Sequence, residues 1–161
     1  MQMIDFNKKY NDSVIQDNWK QGLLPHFSGV VIGDGTMIAM GENSFRIGGV
    51  LQHHVYPICE SSISSFMKFE HEFVEIEPRQ NRVVAHEPDY YAICGEGGMG
   101  NEGFVAVIKG DSLIWSAFFT VSNPFYELRM QGNSIIATST HDRFWKFPVS
   151  EPWNVKIQSD E

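Results

Sequence analysis

Residues 104–148 read FVAVIKGDSLIWSAFFTVSNPFYELRMQGNSIIATSTHDRFWKFP, and this stretch decides the fold class. Its apolar runs are short, rich in β-branched and aromatic residues, and broken by Gly–Asp and Gly–Asn pairs. A tight hairpin needs residues that tolerate positive φ at such breaks, so the stretch reads as successive antiparallel strands. The strand candidates are 104–109, 112–120, 125–130, 134–139 and 144–148. The turns at Gly110 and Gly132 lie 22 residues apart in the chain, and GDSLIWSAFF aligns with GNSIIATSTH at that spacing. A recurring two-strand unit or a plain meander follows.

Working toward the N-terminus, 82–85 and 90–94 are further strand candidates, and VVIGDGTMIAMG (30–41) repeats the strand–turn–strand grammar. SFRIGGVL (44–51) supplies another possible strand, whereas 52–65, with Pro57 and several serines, reads as a loop. A long strand is expected over 66–77. Met67, Phe69, His71 and Phe73 share one face, and Val74 and Ile76 continue one residue out of step. A bulge at Phe73–Val74 would keep both sets inward and turn Lys68, Glu70, Glu72, Glu75 and Glu77 outward as an acidic ribbon. Ahead of the strands, residues 5–20 read as one helix, with Phe6, Tyr10, Val14, Ile15 and Trp19 on its apolar face and Lys8, Lys9, Asp12 and Gln16 toward water. Asp5 could cap it, and Gly22 with Pro25 stops it.

A chain of 161 residues, 42% hydrophobic and 13% aromatic, can build one core without metal or disulfide staples, so residues 1–161 are read as a single β-rich domain with its sheets over about 26–158. Twelve Lys and Arg against twenty Asp and Glu give a formal charge of −8, which disfavours direct nucleic-acid binding and attracts a basic protein partner. Cys59 and Cys94 form no CxxC unit and read as buried thiols in a reducing compartment rather than as a disulfide. The N-terminal residues lack the apolar run of a signal peptide, and no stretch approaches the roughly 20 apolar residues of a membrane helix. A cytoplasmic location is the expectation.

Chemistry finds no foothold in the motifs. GEGGMGNEG (95–103) follows a strand, but it has no lysine, leads into another strand, and carries Glu96 and Glu102, so it reads as a surface loop rather than a phosphate cradle. His86, Glu87, Asp89 and Cys94 match neither the short paired spacers of zinc sites nor HExxH, and no GxSxG elbow is present. No catalytic residue, metal or cofactor is therefore expected. Phe118 with Phe119, and Tyr90 with Tyr91, point to opposite faces of their strands, so either both sheet faces are covered or one ring is bare. A bare aromatic beside carboxylates suits a hot spot for a basic partner.

The stretch 123–149 resembles a strand series from a β-propeller blade, and 103–119 resembles its neighbouring pieces. A blade takes roughly 40–50 residues, too many for a closed propeller here. The fold expected is mainly β: two packed antiparallel, propeller-like sheets with an N-terminal helix closing one side. In size, acidity, expected location and lack of catalytic motifs the chain resembles the immunity proteins of contact-dependent growth inhibition and related polymorphic toxin systems. The resemblance is one of type and carries over no residue. It implies a cognate toxin domain, often a basic nuclease, blocked by an acidic surface. The partner-binding candidates are Glu70, Glu72, Glu75, Glu77, Glu87, Asp89, Tyr91, Glu96 and Glu102. The alternatives are a structural or scaffolding β protein that self-associates through its sheet edges, and a small enzyme with a site assembled from residues such as His86, His141 and Asp142.

Overall fold

The Gly–Asp and Gly–Asn turns close hairpins where the sequence puts them. Residues 33–35 join β2 (Gly29–Ile32) to β3 (Thr36–Ile47), Gly110 and Asp111 join β9 (Gly103–Lys109) to β10 (Ser112–Phe119), and Gly132 and Asn133 join β11 (Phe125–Gln131) to β12 (Ser134–Ser139). Gly35, Gly110 and Gly132 have φ of 97°, 59° and 59°, a region that β-carbon sterics leave mainly to glycine. The computed structural model describes residues 1–69, 72–141 and 143–158. Among these the chain is mainly β, with antiparallel sheets and two α-helices.

The largest sheet has eight strands. β4 (Val50–Ser62) is one edge, followed by β3, β2, β10, β9 and β8 (Tyr90–Glu96), and the outer side of β8 is shared by β6 (Glu77–Pro78) and β7 (Val83–His86). The second sheet is a four-stranded meander of β11, β12, β13 (Arg143–Pro148) and β14 (Lys156–Gln158). A two-stranded ribbon pairs β1 (Leu23–Pro25) with β5 (Phe73–Glu75).

Both faces of the central part of the large sheet are covered. One core lies between it and the meander, where Val30, Val107, Ala117 and Phe119 meet Phe125, Ile135, Trp145 and Phe147. The other core lies beneath α1 (Ser13–Lys20), α2 (Ile63–Phe69) and the ribbon, where Val31, Phe104, Leu113 and Phe118 meet Ile15, Leu24 and Phe66. The consecutive aromatics thus resolve as two covered faces: Phe118 and Phe119 are both buried, one in each core. A register shift between Leu113 and Trp115 lets Ile114 and Trp115 face the same core, and the Trp115 indole donates to the Val149 carbonyl at 2.9 Å.

Four expectations are corrected. The N-terminal helix begins at Ser13, not near residue 5, because Asp12, rather than Asp5, accepts the Ile15 N–H at 2.9 Å and caps it, while Ile4 and Tyr10 reach the core from the non-helical segment before it. Gln16, expected in water, is buried: where β2 ends at Ile32, its amide donates to the Leu113 carbonyl and accepts the Leu113 N–H, both at 2.9 Å. Residues 52–62 are not a loop but most of β4, paired along β3 around a turn at Gly48 and Gly49. The described residues of 66–77 do not form one long strand. Ile63 and Phe66, three apart, bury one side of α2, whose start is tied by the Ser65 N–H to the Ser62 hydroxyl. Among the described residues of 66–78 only Phe73–Glu75 and Glu77–Pro78 are strand, although Phe73, Val74 and Ile76 do all pack inward. Glu70, His71 and Asp142 lie outside the described residues.

Candidate binding surfaces

Of the candidate acidic residues, Glu72 and Glu75 lie in and beside the β1–β5 ribbon, and Glu77, Glu96, Glu87 and Asp89 lie along the β6/β7–β8 edge of the large sheet, where they form two groups. Glu72, Glu75 and Glu77 follow the chain from the ribbon into β6, where the ladder sets Glu77 directly opposite Glu96. Glu87 and Asp89 lie in the turn between β7 and β8. Asp89 and Glu96 flank opposite ends of β8, about 23 Å apart at the rise of a strand. Arg79, whose N–H bonds the Cys94 carbonyl, and Arg82, whose guanidinium lies 5.3 Å from the Tyr91 ring centroid, separate the groups. Tyr91 is half-buried beneath that cation. Among the described residues, none of Glu72, Glu75, Glu77, Glu87, Asp89 and Glu96 belongs to an ion pair. Like charges directly opposite in a ladder repel, so the Glu77–Glu96 pair costs the sheet stability.

Glu102 does not join them. It is 2% exposed, with one carboxylate oxygen 2.7 Å from His26 Nε2 and the other accepting the Met99 N–H at 3.0 Å. The 95–103 loop folds back on itself through Gly97 N–H to Glu102 carbonyl and Glu102 N–H to Met99 carbonyl bonds. The sequence placed Glu102 on the surface because acidic loop residues are usually solvated; here a histidine and a backbone N–H replace that solvent.

Other chemical candidates resolve as packing or surface. His86 stacks on Phe6 with ring centroids 4.1 Å apart, and His141 is an exposed turn residue with φ of 73°. Among the described residues no group of three His, Cys, Asp or Glu side chains could hold a metal ion. Both cysteines are free. Cys59 is exposed rather than buried, and burial, opposed by Arg79, pushes the Cys94 thiol up to about 12. Lys8 bonds Asp34 at 3.1 Å; burial works against the Asp34 carboxylate, but the Thr36 N–H and hydroxyl and Lys8 together hold its pKa below the usual value.

The surface that sequence reasoning missed is the β3–β4 hairpin. The pairs Gly41–Tyr56, Asn43–His54, Phe45–Gln52 and Ile47–Val50 alternate along the ladder and so share one face. Ile58 joins them: a β-carbon added to Gly41 would lie 2.8 Å from the Tyr56 ring and 2.9 Å from Ile58. Phe45 stacks on His54 with centroids 5.3 Å apart. On this face Phe45 is 43% exposed, Ile47 63%, Val50 54%, Tyr56 40% and Ile58 62%, and none of its residues carries a formal charge. On the opposite face only the base looks inward, and Ser44, Arg46 and Leu51 nearer the turn are exposed. His53 bonds Glu42 at 3.1 Å and sets its ring edge to face against Trp145, and Val55 packs against the core. Met37, Ala39 and Gly41 alternate along β3, so the bare face continues the side of the sheet that α1, α2 and the ribbon cover elsewhere. Phe69, highly exposed at the end of α2, sits beside Ala39, Ser61 and Phe66 at a shallow pocket. The signal was available: Gly48–Gly49 stands between two runs of strand-forming residues, and residues 47–59 hold no Lys, Arg, Asp or Glu.

No protein-family model, curated protein or solved structure matches this chain. No helix among the described residues is long and apolar enough to cross a membrane.

Proposed function

We propose that this is a binding protein rather than an enzyme, and that it acts as an immunity protein, occluding the cationic site of a cognate toxin domain, a basic nuclease, with its acidic edge. The observation that carries the reading is Glu77 facing Glu96 across the β6–β8 ladder, with Glu72 and Glu75 preceding Glu77 in the chain, and with no cation paired to any of them among the described residues. A repulsive pair kept at a sheet edge is compensated when a cationic partner neutralises it, and such charges set register and association rate. Glu87 and Asp89 form a second contact on the same edge, and Tyr91 with Arg82 lies between the two. Glu102 takes no part, since it is buried. Two unpaired thiols suit a reducing compartment such as the cytoplasm. The propeller likeness enters in reduced form: the β11–β14 meander is a four-stranded unit of the kind that makes one blade, here serving as the scaffold behind the acidic edge.

The test is titration calorimetry against the product of the adjacent upstream gene, with nuclease activity followed in parallel. The expected result is a stoichiometric complex that abolishes activity. Its affinity should fall roughly tenfold or more in Glu75→Lys with Glu77→Lys or in Glu96→Lys, with a weaker salt dependence, and stay unchanged in Glu102→Gln. Folded charge-reversed variants that bind as tightly as the wild type would remove the acidic edge from the mechanism.

A further inference from the structure

We infer that the bare face of the β3–β4 hairpin is a dimerisation surface, packing face to face on the same face of a second copy of this chain. The face is built from Phe45, Ile47, Val50, Tyr56 and Ile58, and these five side chains alone expose on the order of 500 Å². Apolar patches of that size on a soluble protein mark interaction sites, and with Asn43, Gln52 and His54 included the face approaches the roughly 800 Å² per partner of a stable interface.

Charge selects the occupant. In a chain of formal charge −8, this face carries no carboxylate, and Glu42, the nearest one on the hairpin, is turned to the other side and bonded to His53. A basic partner would find nothing here to pair with its cations, whereas a second copy finds an apolar surface equal to its own. Repulsion between two acidic chains does not forbid the contact. β4 and β6 close opposite edges of the large sheet, six strand spacings or about 29 Å apart, against a screening length of about 8 Å at physiological salt. A two-fold arrangement buries the identical strip from both chains, as an isologous interface requires. It leaves both acidic edges facing outward.

Sedimentation velocity of the full chain over low to high micromolar concentration reads this directly. A dimer is expected, persisting or tightening at raised salt, as an apolar interface does and an electrostatic one does not. Phe45→Lys and Ile58→Lys should each raise the dimer Kd by about tenfold or more with an unchanged circular dichroism spectrum. If either fails to fold, His54→Lys, exposed on the same face, replaces it with the same expectation. Glu75→Lys with Glu77→Lys should leave the dimer intact, which keeps this outcome distinct from that of the toxin titration. A monomer at every concentration, a dimer indifferent to all hairpin variants, or a monomer that uses Phe45 and Ile58 to bind a different protein would each overturn the inference.

Discussion

Gln16 and Glu102 show how a single polar residue can be decisive where its sequence context looks ordinary. Both sit in polar surroundings along the chain, and both are buried because a specific backbone group needs them: Leu113 beyond the end of β2, and Met99 in the folded-back loop. A buried backbone group without a partner costs about as much as a lost hydrogen bond, so such side chains are retained for satisfaction rather than for chemistry. The cysteines allow a direct test at this scale. The thiolate is the reactive species, and burial pushes the Cys94 thiol up to about 12, while Cys59 is exposed on β4. A maleimide at neutral pH is expected to label Cys59 alone in the native protein and both cysteines in denaturant, as mass spectrometry would read. Rapid double labelling of the folded protein would contradict the burial of β8.

At the scale of the element, β10 is the strand on which the fold turns. It pairs β2 on one side and β9 on the other, and its side chains serve both cores. Phe118→Ala and Phe119→Ala should therefore each cost about 3–5 kcal/mol, a penalty reserved for rings buried in well-packed surroundings. Equilibrium urea unfolding measures both; a cost near zero for either would mean that one face of the sheet is not packed. The hairpins around β10 were legible because turn glycines and apolar alternation are local signals. The long strand expected over 66–77 failed because its first residues belong to a helix that starts before them: Ile63 and Phe66 at helical spacing take the chain into α2 before any strand alternation begins. The β3–β4 hairpin failed for the opposite reason, since Pro57 and the serines suggested a loop in a segment whose strand character comes from pairing with β3.

Across the whole molecule, the large sheet separates an acidic edge from an apolar one, so the two proposed contacts should behave independently. Combining Ile58→Lys with Glu75→Lys and Glu77→Lys is expected to lose dimer and toxin binding by the same factors as the separate variants, because substitutions far apart without shared partners add. Coupling of more than about 1 kcal/mol between them, measured by calorimetry and sedimentation on the four proteins of the cycle, would mean that the surfaces communicate through the sheet.

Sequence alone determined the β class, the presence of an N-terminal helix and most second-half strands, because propensity, turn chemistry and alternation act over a few residues, whereas the structure decided that Phe118 and Phe119 are both covered. The sequence also determined the net charge. Only the tertiary structure decided where the charges fall: it buried Glu102, set Glu77 against Glu96, placed Arg79 and Arg82 between the two acidic groups, and left one face of the β3–β4 hairpin bare. These outcomes depend on strand order and register, which join residues tens of positions apart and have no local signature in the chain.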